Sequence, residues 1–169
     1  MFRRKEAEED PAHIVKRHIE LDDDVLGKFR TIIEMCENAY RGLRKGFSEC
    51  VYEEALCIEL QERNIHYTRQ ETIPCMYKSR FVGNIRLDII LQSWCSFIFE
   101  LKATGSSIQT DERWQLVRYM SRKEVPYGAV VNFNQGLTKD LEISFIITQD
   151  DGYYIYDLET QEGRRLRDA

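Results

Sequence analysis

Three residues near the middle of the chain have the types and spacing needed for phosphoryl chemistry. In RLDIILQSWCSFIFELKA, Asp88 lies inside one apolar run, and Glu100 and Lys102 lie inside the next. Strand alternation places Arg86, Asp88 and Ile90 on one face of the first run, with Leu87, Ile89 and Leu91 opposite. The same rule puts Glu100 and Lys102 on one face of the second run and Phe97, Phe99 and Leu101 on the other. Asp88 and Glu100 are 12 residues apart across a short break, so hairpin pairing can set the two carboxylates side by side. Unpaired charge in an apolar sheet costs several kcal/mol, and a divalent cation or a mutual ion pair removes much of that cost. Hard carboxylate oxygens suit Mg²⁺ or Mn²⁺. A cation held there polarises a phosphoryl oxygen, and a neighbouring ammonium stabilises the negative charge that develops during phosphodiester hydrolysis. The E-x-K triplet is weak by itself, because same-face Glu/Lys pairs on strands are usually solvated ion pairs. The upstream Asp88 in hairpin register is what gives it weight.

The elements that must hold these residues follow from periodicity. Asp22-Asp23-Asp24 supplies carboxylates where a helix N-terminus favours them, and Val25, Phe29, Ile32, Ile33, Cys36 and Tyr40 then recur at helical spacing to about Gly42. Ser48 opens a second helix that runs to about Arg63. Val51, Ala55, Ile58 and Leu60 form its buried stripe, and Glu53, Glu54, Glu59 and Glu62 its wet side. TRQETIPCMY, RFVGNIRLDIILQ and SFIFELKA read as three successive antiparallel strands. Thr110 to about Lys123 returns to helical spacing, Tyr127 to Phe133 reads as a buried strand, and ISFIIT and YYIYDL flank Asp150-Asp151-Gly152 as a hairpin. The order is α-α-β-β-β-α-β-β-β, an α/β fold.

The 169 residues suffice for one domain with a substantial core, expected over 25–158. Residues 1–24 hold five basic and eight acidic side chains and read as a charged arm, one that a protein partner or a second copy of the chain would order; residues 159–169 read as a charged tail. The net charge of −5 argues against an all-round basic surface for gripping duplex nucleic acid, while leaving room for a local basic patch. No stretch approaches the ~20 apolar residues of a membrane span, and MFRRKEAEEDPAH lacks a signal-peptide core, so the expectation is an intracellular protein, cytoplasmic or nuclear, not secreted. Cys36, Cys50, Cys57, Cys75 and Cys95 show no metal-ligand spacing and read as reduced thiols, mostly in the core. His13, His18 and His66 have no partners at any recognisable spacing.

Gly46-Phe47-Ser48-Glu49-Cys50-Val51-Tyr52 matches a GxxExxY signature and continues as EEALCIEL. RLDII, FIFELKA, the segment Gln115-Leu116-Val117-Arg118-Tyr119-Met120 and GAVVNFN follow in order. Together these blocks resemble the GxxExxY family of the PD-(D/E)xK nuclease superfamily over roughly residues 24–135. The resemblance implies a core of helix, three-stranded antiparallel meander, helix and strand, here with an extra N-terminal helix and a C-terminal β-hairpin. It implies a Mg²⁺ (or Mn²⁺) site with Asp88, Glu100 and the Leu101 carbonyl as ligands, Lys102 as catalytic lysine and Glu49 as the helix-borne acid that completes it. Without the resemblance, Glu49 would read as a capping carboxylate in the first turn of its helix. Gln115 and Tyr119, flanked by Arg118 and Arg122, resemble a Q-x-x-x-Y pair that faces the substrate backbone. One departure is Glu112, where relatives often carry a histidine. The function implied is a metal-dependent nuclease or nuclease-like phosphodiesterase acting on nucleic acid, DNA ahead of RNA. The alternative is a non-catalytic binding or scaffold subunit that retains the nuclease fold.

Overall fold

The computed structural model describes residues 15–167. The segment 1–14, and with it the expected ordering of the arm by a partner, lies outside the described residues. The elements run β1 (Lys16–His18), α1 (Asp23–Leu43), α2 (Glu49–Glu62), β2 (Tyr67–Arg69), β3 (Thr72–Tyr77), β4 (Arg80–Arg86) and β5 (Ile89–Leu91). They continue with β6 (Phe97–Lys102), α3 (Thr110–Lys123), β7 (Tyr127–Asn132), β8 (Glu142–Gln149), β9 (Gly152–Asp157) and β10 (Glu162–Arg165). Eight strands make one sheet in the order β1-β10-β9-β8-β7-β6-β5-β2, while β3 and β4 pair with each other alone. β6 and β7 are parallel, with α3 as the connection that parallel pairing demands; the other pairs are antiparallel.

Each face of the sheet is covered. The Asp22 carboxylate accepts the Asp24 N–H at 2.9 Å and starts α1, whose stripe Leu26, Phe29, Ile32, Met35, Cys36 and Tyr40 packs with α2 over Phe97, Phe99, Val131 and Phe145. On the opposite face Leu116, Val117, Tyr119 and Met120 of α3 cover Ile90, Ile98, Val130 and Ile146. Gly128 makes that closure possible, since a Cβ there would lie 2.9 Å from the Ile98 carbonyl oxygen and 3.0 Å from Leu116 Cδ1. No helix among the described residues is long and apolar enough to cross a membrane.

Four sequence expectations are corrected. The first two meander strands are each broken in two. β2 pairs with β5 and β3 with β4 in one register as far as Cys75, Tyr67 opposite Leu91 and Thr72 opposite Arg86, and the register shifts by one between Cys75 and Met76. They form one long ribbon, bent where Gln70 takes a left-handed φ of 55° and where Leu87 and Asp88 leave the strand. The bend also breaks the alternation, because Leu87 packs with Ile90 beneath α3 and not with Ile89 and Leu91. The buried stripe of α2 is Tyr52, Glu53, Leu56, Cys57 and Leu60, and Ile58 is 50% exposed. The expected stripe missed this phase because a charged residue, Glu53, sits inside it. Finally, 16–18 and 162–165, read from their charge as arm and tail, form β1 and β10 and pair with each other. Strands near a sheet edge keep wet positions on which such charges are tolerated.

Candidate functional site

Bending the ribbon at Leu87–Asp88 frees the Asp88 side chain from the ladder and sends it across to the neighbouring strand. Its Oδ2 accepts the Leu101 N–H at 2.7 Å. The β5–β6 register pairs Ile89 with Phe99, and one further step sets Asp88 opposite Glu100. Backbone bonds fix the bend: Gln70 N–H donates to the Asp88 carbonyl at 2.9 Å, and Leu87 N–H to the Glu71 carbonyl at 3.0 Å.

Glu100 stands on the α3 side of β6, its side chain only 5% exposed. One carboxylate oxygen receives the Lys102 ammonium at 3.1 Å, whereas Oε2 is buried with no hydrogen-bond partner among the described residues. Burial, reinforced by the Asp88 charge, pushes the Glu100 carboxyl up to about 8. Burial likewise raises Asp88, against the opposing pull of the Leu101 N–H. For Lys102, burial acts to lower the pKa, but the Glu100 carboxylate beside it outweighs that and holds the ammonium above its ordinary range.

Glu49 arrives from the other layer, and the signature around it has a physical reading. Gly46, at a φ of 107°, makes the turn that leads into α2, and its N–H donates to Gln135 Oε1 at 2.7 Å. Ser48 occupies the N-cap in extended conformation without making a side-chain cap bond. Tyr52 stacks on Phe133, just past the end of β7, with ring centroids 4.6 Å apart, and its hydroxyl donates to the Arg44 carbonyl at 2.5 Å. Glycine and tyrosine thus anchor the first turn of α2 on the sheet, and Glu49 between them is half-buried. Burial raises its pKa, with the Asp88 charge adding to the rise and Lys102 opposing it, so Glu49 shares the electrostatic environment of the other three.

The sequence reading missed Glu53, four residues further along the same helix. It is 3% exposed and accepts hydrogen bonds from Arg69 Nε at 3.0 Å and from Gln70 Nε2 at 2.8 and 2.9 Å. Since Gln70 also holds the Asp88 carbonyl, Glu53 braces the bend that aims Asp88. The i,i+4 spacing from Glu49 was the available signal. Glu53→Ala should therefore lower stability by about 2 kcal/mol, less than the ~3–5 kcal/mol of a fully buried pair because Arg69 is one-third exposed. Urea unfolding would measure this, and a loss below ~0.5 kcal/mol would mean that the bend stands without it.

From α3, the Gln115 amide donates to the Tyr119 hydroxyl at 2.8 Å, and that hydroxyl donates to the Arg86 carbonyl at 3.1 Å. Tyr119 is 3% exposed and so struts the ribbon just before Asp88. Arg118 and Arg122 are exposed, and Arg122 Nη1 donates to the Pro74 carbonyl at 3.3 Å. Glu112 accepts the Gln109 N–H at 2.7 Å, capping its own helix, while its charge also reaches Lys102. The segment after Lys102 is tied down by Asn132, whose Oδ1 accepts the Thr104 N–H at 3.0 Å and whose Nδ2 donates to the Ser106 carbonyl at 2.8 Å.

No three carboxylate, imidazole or thiol groups among the described residues gather closely enough to enclose an ion between them. Two carboxylates nevertheless suffice for Mg²⁺, which keeps several waters and is held by one or two protein carboxylates. The buried Glu100 Oε2 is an electron-pair donor with no hydrogen-bond partner among the described residues, the Lys102 ammonium being taken up by Oε1, and that fits an ion. A search among curated proteins finds no match. The family model described as PD-(D/E)XK nuclease superfamily matches residues 27–144, well over half of the chain and spanning every residue of this cluster. Nucleases of that superfamily generally use divalent metals. With the match covering both helix layers and the carboxylate-bearing strands between them, the chain belongs to the PD-(D/E)XK nuclease superfamily.

Proposed function

We propose that the protein is a Mg²⁺- or Mn²⁺-dependent nuclease of the GxxExxY type that hydrolyses phosphodiester bonds, in DNA ahead of RNA. The observation that carries this is the unpartnered oxygen of Glu100, buried beside Asp88 and Lys102. Asp88, Glu100 and the Leu101 carbonyl would hold the cation, which when bound supplies Lewis-acid polarisation of the phosphate. Lys102, fixed by its ion pair, presents positive charge where the phosphate gains negative charge. Glu49 completes the site from the helix layer as an acid–base group, its pKa raised by burial and by the Asp88 charge. Gln115 and Arg118 on α3 are the proposed contacts to the nucleic-acid backbone, with Arg122 and the strut Tyr119 ordering that side.

The test is incubation of purified protein with single- and double-stranded DNA and RNA in Mg²⁺, Mn²⁺ or EDTA. Cleavage that needs the divalent ion supports the reading. Absence of both Mn²⁺ binding and cleavage would hand the fold to the scaffold role instead.

A further inference from the structure

Beyond the carboxylate cluster, the ribbon continues past its bend as β3 and β4, a hairpin that pairs with nothing else among the described residues. Its root is apolar and braced: Ile73 and Ile85 pack beneath α3, Tyr119 holds the Arg86 carbonyl, Arg122 the Pro74 carbonyl, and Lys123 pairs with Glu71. Its tip is different. Met76, Tyr77, Phe81 and Val82 are 53–64% exposed, a concentration of large apolar side chains in water that marks a contact surface. Lys78 and Ser79, both at positive φ, make the turn, and the Lys78 ammonium lies 5.5 Å from the Tyr77 ring centroid. Register pairs Met76 with Phe81 and Tyr77 with Arg80, so each face of the tip carries one aromatic ring.

Charge selects the partner. Residues 72–86 contain Lys78, Arg80 and Arg86 and not one Asp or Glu, within a chain whose net charge is −5. An apolar protein surface gives no reason for that bias, and a second copy of this acidic chain would answer the charge but not the pair of exposed aromatic rings. A polyanion with exposed flat rings does: bases stack on aromatic faces while Lys and Arg neutralise phosphates. In duplex DNA the ring faces are already stacked on one another, whereas a single strand offers them freely.

We propose that the β3–β4 hairpin is an arm that binds a single-stranded stretch of the nucleic-acid substrate, stacking bases on Tyr77 and Phe81 and neutralising phosphates with Lys78 and Arg80. This rests on the reading of the neighbouring cluster as a nuclease centre. From Phe81 to Arg86 the strand is extended over five residue steps, about 16 Å at ~3.3 Å each, so the tip stands away from the carboxylates and from the bond that is cut. The arm therefore sets binding and KM and leaves kcat unchanged.

Fluorescence anisotropy with a labelled 20-nucleotide oligo(dT) in EDTA tests it without requiring cleavage. Tyr77→Ser/Phe81→Ser should raise Kd at least tenfold, while Tyr77→Phe/Phe81→Trp keeps wild-type affinity. Lys78→Ala/Arg80→Ala should flatten the slope of log K against log salt by about 1.4, from ~0.7 per phosphate contact in single strands. All these positions are solvent-exposed, and circular dichroism should show each variant folded. Unchanged affinity of the serine pair overturns the proposal, as does equal binding and equal loss with a duplex of matched length. So does sedimentation in which the wild type is a dimer and the serine variant a monomer of unaltered DNA affinity, which would assign the tip to a second copy. Hairpin-dependent binding without any cleavage in Mn²⁺ would sink the nuclease reading and leave this one standing. Cleavage with wild-type KM by the serine variant would do the reverse.

Discussion

Lys102→Ala protein should bind Mn²⁺ at least as tightly as the wild type and lose cleavage by about 10²–10³-fold or more. The ammonium 3.1 Å from Glu100 neutralises part of the carboxylate charge, so deleting it leaves a more negative site for a divalent cation. The loss falls on the step in which negative charge develops on the phosphate, where removing one preorganised donor costs this much. Asp88→Asn should do the opposite for the ion, weakening Mn²⁺ binding at least tenfold while also ending cleavage. Asn keeps the volume and can still accept the Leu101 N–H, so the bend should survive. Calorimetric Mn²⁺ titration and a nicking assay on the same preparations separate the two. Wild-type cleavage by Lys102→Ala would make this lysine structural, and unaltered Mn²⁺ affinity in Asp88→Asn would remove Asp88 from the ligand set.

Without divalent ions, the folded protein should become less stable as pH rises from about 5 to 8. Glu100 is held near 8 in the fold against an ordinary value of 4.5, so between those values the native state keeps a proton that the unfolded chain has released. Stability then declines by up to ~1.4 kcal/mol per pH unit, about 4 kcal/mol at most over the window. Asp88 and Glu49, raised for the same reason of burial, act in the same direction. Lys102, held above its ordinary range, keeps its charge throughout this window and does not reverse the sign. Mn²⁺ should restore stability most at the alkaline end, because binding it displaces the proton. Thermal melts at pH 5.5 and 8, with Mn²⁺ or with EDTA, give the comparison, and Glu100→Gln is the control. A neutral amide should flatten the pH dependence and abolish the Mn²⁺ shift. Were the apo protein steadier at pH 8 than at 5.5, the burial of an unpartnered Glu100 would not be what sets its response to pH.

The sequence by itself determined the superfamily and the order of the elements that carry the candidate residues. Asp88, Glu100 and Lys102 were legible because alternation on a short hairpin leaves little freedom in where side chains of the same face meet. The three helices were legible because an apolar stripe at helical period has few other ways to be buried. What the sequence did not contain was the bend. Strict alternation carried Asp88 onto the right neighbour for the wrong reason, since the residue leaves the ladder at Leu87 and reaches Leu101 N–H from a kink that Gln70 holds. Local propensity sees a continuous β run there, and the contacts of the folded chain, Leu87 packed beneath α3 and Gln70 held by Glu53, decide that the ribbon turns. Glu53 was hidden for a related reason. A glutamate on a helix reads as a wet residue until a distant Arg69 and Gln70 arrive to satisfy it. The pairing of residues 16–18 with 162–165 belongs to the same class, a contact between distant parts of the chain, Lys16 opposite Arg164, that no local pattern encodes. Types and spacings fix which groups can react, whereas the burial that leaves one oxygen of Glu100 without a partner is a property of the whole packed sheet, and it exists only after both helix layers have closed.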